Sequence, residues 1–388
     1  MLGLFLLGCG PAVRVPGGGG ADEGSGGATG ASTAETSVET DAPSGSEGAD
    51  GDATSGSSST GAEACACLDQ RLDRAARAES PLEGTLIQAV VTETGAVWIR
   101  EETAEGGGVV VRYGEDGDFT AWPDQHLSLH APARMTASAA GAALGEFVPL
   151  DEVWRLQLFD NEGLRICYLD RDALLLPTLP PPGGWAFLQP GLVATRLPAS
   201  CDVDQAETLS LAEVPADLDI VDAVWTSEVL VVLGARSTGS GRAPFAAAID
   251  RLDGSLRATT HVPPPSLGHR WTPSNESILL TLHDEETVEA HALAPDTGAL
   301  SLLGEVDGAG VTDAIALPHP TDPWLLLDGD DPRVVRLSAD ACCPPMALVL
   351  EGSSVDVHAA RRIDDALVLV RELDDGAHML SQETFALE

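Results

Sequence analysis

The residues with the most chemistry open to them are seven cysteines: Cys9, Cys65, Cys67, Cys167, Cys201, Cys342 and Cys343. A thiolate can act as a nucleophile, a metal ligand or half of a disulfide. No Cys-x-x-Cys occurs, and Cys65-Ala-Cys67 has a single residue between its thiols, which disfavours a zinc site. With Cys9 set aside, the remaining six form an even set that allows fifteen pairings. Carboxylates gather in "YGEDGD" (113–118), "LDGDDP" (327–332) and "HDEE" (283–286). The first two could offer oxygen ligands to calcium, but neither has the twelve-residue loop pattern, and Asp with Gly is also what a hairpin turn requires. "HDEE" lacks a second nearby His and falls where a hairpin turn is expected. The loop "ARSTGSGRAPF" (235–245) brings two Arg that could face a carboxylate ligand, although a plain flexible loop accounts for it more simply.

All basic residues are Arg, so neither a Schiff-base lysine nor a phosphate-loop lysine exists. Gly-x-Ser-x-Gly, His-Glu-x-x-His and dinucleotide-binding glycine patterns are absent from the chain. No catalytic residue, cofactor site or metal site is therefore assigned. The formal net charge is −40, which repels nucleic acid and anionic lipid alike. Aromatic content of 4% leaves little material for stacking platforms.

Stepping along the chain, residues 1–8 are apolar but too few to span a bilayer. Leu6-Leu7-Gly8-Cys9 resembles the lipobox of bacterial lipoproteins. That resemblance implies a signal peptide over residues 1–8, cleavage before Cys9, and acylation of Cys9 at its thiol and new amino group. Such proteins are held on the bacterial cell envelope by lipid chains, and Gly10 after the cysteine points to the outer rather than the inner membrane. No basic residue precedes Arg14, a departure from the usual signal peptide. Residues 9–64 then read as the lipidated Cys and a tether. From residue 10 to 64 there is no Leu, Ile, Met, Phe, Trp or Tyr, too little apolar area to offset ordering entropy. As a flexible coil the tether would span roughly 40 Å.

From residue 85 the pattern changes to short apolar runs punctuated by turns. "LIQAVVTETGAVWIRE" reads as two strands joined at Thr94-Gly95, and "GVVVRYGEDGDFTAW" as two more turning at Asp116-Gly117. Trp225 and Trp271 lie 46 residues apart, and the turn glycines Gly254 and Gly298 lie 44 apart. Trp98, Trp154, Trp185 and Trp324 extend the same series more loosely. A four-stranded unit at this period is a propeller blade. The expectation is an all-β propeller over residues 85–388 with seven four-stranded blades, the Trp residues serving as packing between blades. "RWTPSNESILLTL" resembles the TolB-type propeller repeat, which implies a fold and no activity.

The last blade is short of strands, so the segment before residue 85 is expected to complete it. Residues 65–84 are read as a lead-in with a short helix over "LDQRLDRAARA" (68–78). Closure would bring Cys65 and Cys67 near Cys342 and Cys343, and Cys167 would pair with Cys201 between neighbouring blades; Cys342 and Cys343 could instead bridge each other. The function expected is a membrane-anchored exported lipoprotein, monomeric, whose propeller binds a protein or small-molecule ligand. The alternative is a hydrolase-like enzyme with its site at the channel mouth.

Overall fold

A computed structural model describes residues 71–386, apart from 73, 83, 103–106, 114–118, 122–126, 129–133, 139, 149–150, 161–162, 190–192, 216, 320–321, 338–345, 349, 351–353 and 375–377. All described residues belong to one compact unit. The lipobox, the tether, "YGEDGD" between its flanking strands, and Cys65, Cys67, Cys342 and Cys343 lie outside the described residues.

The chain forms a β-propeller. Hydrogen bonding divides the strands into seven sheets, mostly antiparallel and mostly built from consecutive strands. The first runs through Thr85–Val91, Val97–Glu102, Gly107–Tyr113 and Phe119–Ala121, with Leu127–Ser128 added on Gly107–Tyr113. The second holds Arg134–Ser138, Gly141–Val148, Val153–Phe159 and Arg165–Arg171, and the third Leu176–Pro177, Gly184–Gln189, Val193–Pro198 and Glu207–Ser210. The fourth holds Leu218–Trp225, Val229–Thr238, Gly241–Asp250 and Leu256–His261, and the fifth Gly268–Pro273, Ile278–His283, Thr287–Leu293 and Leu300–Asp307. Val311–Leu317, Trp324–Gly329, Arg333–Arg336 and Met346–Leu348 make the sixth, and Ser354–Ile363, Ala366–Asp374 and His378–Ala386 the seventh.

Each sheet alternates side chains between two faces, and each face must be covered. Apolar clusters join every neighbouring pair. Trp98 packs with Met135, Leu144 and Phe159 between the first and second sheets. Leu156 and Leu158 meet Trp185 and Phe187 between the second and third. The series continues around the molecule to Val368 and Val370 of the seventh sheet, which pack on Leu86 and Ile99 of the first. The ring therefore closes. The first strand of each sheet is innermost, since Ser354–Ile363, Thr85–Val91 and Arg134–Ser138 approach one another in succession.

The expected seven four-stranded blades need correction. The blades number six rather than seven, and among the described residues two of the seven hydrogen-bonded sheets have five strands. Among the described residues the third sheet has the shortest inner strand, the two-residue stub Leu176–Pro177. Its segment 175–181, "LLPTLPP", is wholly buried. Pro177, Pro180 and Pro181 lack the N–H that a longer ladder would use.

The lead-in helix is also corrected. Residues 71–72 and 74–81 are strands. Arg74–Pro81 pairs antiparallel with His378–Ala386 and supplies the outer strand of the seventh sheet, as the shortage of strands there required. Arg71–Leu72 pairs parallel with Met346–Leu348 of the sixth sheet, so the N-terminal segment staples two adjacent sheets. The helical spacing of "RLDRAARA" is local, whereas the open edge and a buried carboxylate, Glu383, are tertiary. Glu383 and Arg371 are both 0% exposed and 3.1 Å apart. Ser381 donates to Glu383, and Arg74 and Arg77 of the incoming strand lie 3.8 and 3.7 Å from the same carboxylate.

Candidate functional site at one end of the ring

Polar residues on the inner strands clasp one sheet to the next. β-Bulges at Leu86/Gln88, Ile220/Asp222 and Val311/Asp313 re-aim the following side chain. Gln88 accepts from the Met135 N–H at 2.9 Å and donates to its carbonyl at 2.8 Å. Asp222 accepts from the N–H groups of Leu179 and Ala223 at 3.0 and 2.7 Å. Arg270 donates to Asp313 at 2.7 Å. These links recur at the blade period, with partners 47, 43 and 43 residues apart. Arg134 of the second sheet reaches Asp222 of the fourth at 3.2 Å, past the stub inner strand of the third.

The hairpins that follow the inner strands lie at the opposite end of the ring. There Asn275 of the fifth sheet donates to Glu93 of the first at 3.4 Å, a contact across the axis. Arg361 of the seventh sheet adds a 3.4 Å ion pair to Glu93. Burial pushes its guanidinium below the ordinary value, and Glu93 opposes that.

At the end where the inner strands begin, the fourth sheet projects. Val229–Thr238 and Gly241–Asp250 pair along their full length up to Thr238↔Gly241. The expected loop 235–245 is therefore strand with a two-residue turn, Gly239-Ser240; Gly241 holds φ +139°, a conformation open to glycine. Its two arginines are occupied. Arg236 donates to Asp217 at 2.7 Å, and Arg242 pairs with Asp219. Burial raises the Asp219 carboxyl, with Arg242 opposing. His269, on the inner strand of the fifth sheet, is lowered to about 4 by burial and by the nearby Arg242 charge. His283 is lowered too, chiefly by burial, against the pull of Asp313 and Asp284. Both imidazoles are neutral at pH 7. Among the described residues, the buried Nε2 of His283 has no hydrogen-bond partner.

"HDEE" forms the turn between Ile278–His283 and Thr287–Leu293, as expected. Asp284 accepts from the Ser266 N–H at 2.6 Å, and the Leu267 N–H donates to the His283 carbonyl at 3.1 Å. Leu267 is thus fixed beside the start of this turn while 55% exposed. Val221, the extra residue of the Asp222 bulge, is a second exposed apolar group on an inner strand. Charges in ordered positions, shifted titrations and isolated apolar groups together make this end the candidate site.

Sequence reasoning placed none of Gln88, Arg134, Asp222, Arg270 or Asp313. The signal was present in "QAVV", "DAVW" and "DAIA", each a polar residue opening an apolar run on an inner strand. "LDGDDP" is a turn in which Gly329 takes its N–H to the Asp328 carboxylate at 3.0 Å. Cys167 and Cys201 are joined, with Cα atoms 6.5 Å apart, linking the second sheet to the third. Gly254 and Gly298 are equivalent turn residues, each donating its N–H at 2.9 Å to the carbonyl four residues back. The Trp series is less regular. Trp225 and Trp271 sit on inner strands, while Trp98, Trp185 and Trp324 sit on second strands; all five are buried between sheets.

No known protein family and no curated protein matches the sequence. Solved structures do match in shape. The WD40 domain of Toxoplasma gondii coronin has a TM-score of 0.51 at 10% identity, covering 82% of this chain and 89% of that domain. A chain in the mitotic checkpoint complex has a TM-score of 0.49 at 12% identity, covering 91% of this chain and 98% of its own length. Hsv2 of Kluyveromyces lactis has 0.43 at 11%, covering 78% and 99%. At such identities the coronin likeness concerns the fold alone.

Proposed function

We propose that this chain is an exported, lipid-anchored propeller that serves as a protein-interaction scaffold on the bacterial cell envelope, with Cys9 as the lipidated residue. The observation that carries the scaffold reading is the closed ring, a rigid frame that presents ordered side chains at one end. The propeller neighbours include a WD40 domain, in keeping with such a role. The Cys167–Cys201 disulfide supports an oxidising compartment. The N-terminal strands run on the outer edges of the sixth and seventh sheets.

Two measurements test this. Cys9→Ser should move the protein from the membrane to the soluble fraction and abolish incorporation of labelled fatty acid; continued membrane association without that label would defeat the anchor. A photo-crosslinking residue placed in turn around the ring should give a discrete protein adduct in the producing cell from at least one face. A ring silent at every position would defeat the scaffold.

A further inference from the structure

We propose that the outer strand of the second sheet, Arg165–Arg171, takes up an extended segment of a partner protein as an added strand, and that this segment alternates apolar residues with carboxylates. This rests on the scaffold reading and names the surface and the partner's chemistry. The strand pairs with Val153–Phe159 on one side, and its other edge meets no described strand. A free edge offers a row of N–H and C=O groups to a visiting backbone. Every propeller sheet has an outer strand; the side chains set this one apart. Ile166 and Tyr168 are 40% and 52% exposed, and Leu164, just before the strand, is 63% exposed. Among the described residues no other outer strand carries more than one exposed large apolar side chain. Val203, also exposed, stands two residues after Cys201, whose bond to Cys167 ties it to the same strand. Apolar groups gathered on a surface in this way mark a protein contact.

The strand is held in place before any partner arrives, which lowers the entropy cost of docking. Cys167 and Leu169 join the apolar cluster that faces the third sheet, and the disulfide fixes them there. Tyr168 alternates with them and lies under two guanidinium groups, Arg155 at 4.9 Å and Arg165 at 5.6 Å from the ring centre. Charge then selects the partner. Most described arginines are paired with a carboxylate, as Arg155 is with Asp170 and Arg257 with Asp250. Arg165 and Arg171 are exceptions. Arg165 donates to the Gln157 side chain at 3.3 Å, Arg171 donates to the Asp170 carbonyl at 2.8 Å, and neither forms an ion pair with a described residue. They stand at the two ends of the strand, about 20 Å apart. A visiting strand with a carboxylate near each end and apolar residues between them complements this edge, whereas a basic one would set cations against both arginines. The net charge of −40 repels an acidic segment at long range, so binding of one must come from the site itself.

The probe is a fluorescein-labelled peptide alternating glutamate and valine, titrated by anisotropy against the full chain bearing Cys9→Ser. The same peptide N-methylated along its backbone has no donors, so strand addition predicts binding weaker by at least about tenfold. Adhesion through side chains alone predicts little change. Ile166→Thr with Tyr168→Thr keeps strand-forming residues while removing the apolar row, and should weaken binding by at least about tenfold. Leu302→Thr, at an exposed leucine on the outer strand of the fifth sheet, should leave it unchanged. Arg165→Gln with Arg171→Gln should weaken the glutamate peptide and spare a glutamine–valine counterpart. Amide exchange within 165–171 should slow when the peptide is bound. Circular dichroism confirms that each variant is folded, and the methylated peptide decides the matter on the strand with its own residues. No binding by that strand, equal binding of the methylated peptide, or protection confined to another sheet overturns the inference. The scaffold reading survives such a result if crosslinks arise from another face, and falls only if they arise from none.

Discussion

Replacing Glu383 by Gln should be among the most damaging single substitutions in the chain. The side chain is nearly isosteric, so the perturbation is one of charge. Glu383 and Arg371 are fully buried, and Arg371 donates to both carboxylate oxygens at 3.1 Å. Removing one partner of such a pair leaves a buried cation without this carboxylate, a loss of about 3–5 kcal/mol. Folded domains are stable by only about 5–15 kcal/mol, so the melting temperature should fall by roughly 5–15 °C. The location adds a second readout. Arg74 and Arg77 approach the same carboxylate from the closing strand, so amide exchange in residues 74–81 should accelerate more than in the fourth sheet. A paired change, Glu383→Leu with Arg371→Met, removes both charges and should recover much of the stability, because buried ion pairs are often replaceable by apolar groups. Thermal and urea unfolding by circular dichroism measure both variants, and hydrogen exchange read by mass spectrometry follows the closing strand. A cost below about 1 kcal/mol for Glu383→Gln, or uniform exchange, would refute the idea that this carboxylate holds the ring closed.

His269 gives a pH dependence. Its folded pKa of about 4 lies below the ordinary 6.5, so the unfolded chain binds the proton more readily. Stability from this group is complete above about pH 6.5 and is lost as pH falls toward 4. Partial solvent access limits the amount to about 1–2 kcal/mol, and His269→Asn should flatten urea midpoints across that window. Breaking the Cys167–Cys201 bridge by serine substitution at both positions should cost about 2–4 kcal/mol, visible as a lower melting temperature that reductant no longer changes. Arg71 pairs with Ala347 in the parallel ladder, and each stands four residues after a cysteine, Cys67 and Cys343. Peptide mapping without reductant should therefore recover the segment holding Cys65 and Cys67 linked to that holding Cys342 and Cys343. Free thiols at all four would contradict this.

What could be read from the sequence was whatever local chemistry decides. Gly254 and Gly298 mark equivalent turns because a φ of +74° and +66° is open to glycine at little cost. Thr94-Gly95 ended a strand for the same reason. The shortage of strands after residue 354 showed that the ring had to be completed from elsewhere. What was hidden depends on residues far apart in the chain. "RLDRAARA" has helical spacing, and only the open edge of His378–Ala386 with buried Glu383 makes it a strand. The stub at Leu176–Pro177 was written in its prolines, but a regular period obscured it. Asp222 and Asp313 looked like ordinary strand carboxylates, because a bulge that re-aims a side chain has no one-residue signature. Arg236 and Arg242 looked available for a ligand until the fold brought Asp217 and Asp219 to them.

The central claim is that this ring is a scaffold for protein partners. A photo-crosslinking residue placed in turn at exposed positions around the ring tests it most directly in cells producing the otherwise unaltered protein. A discrete protein adduct is expected from positions on at least one face and not from all positions alike. No adduct from any position around the ring would contradict it.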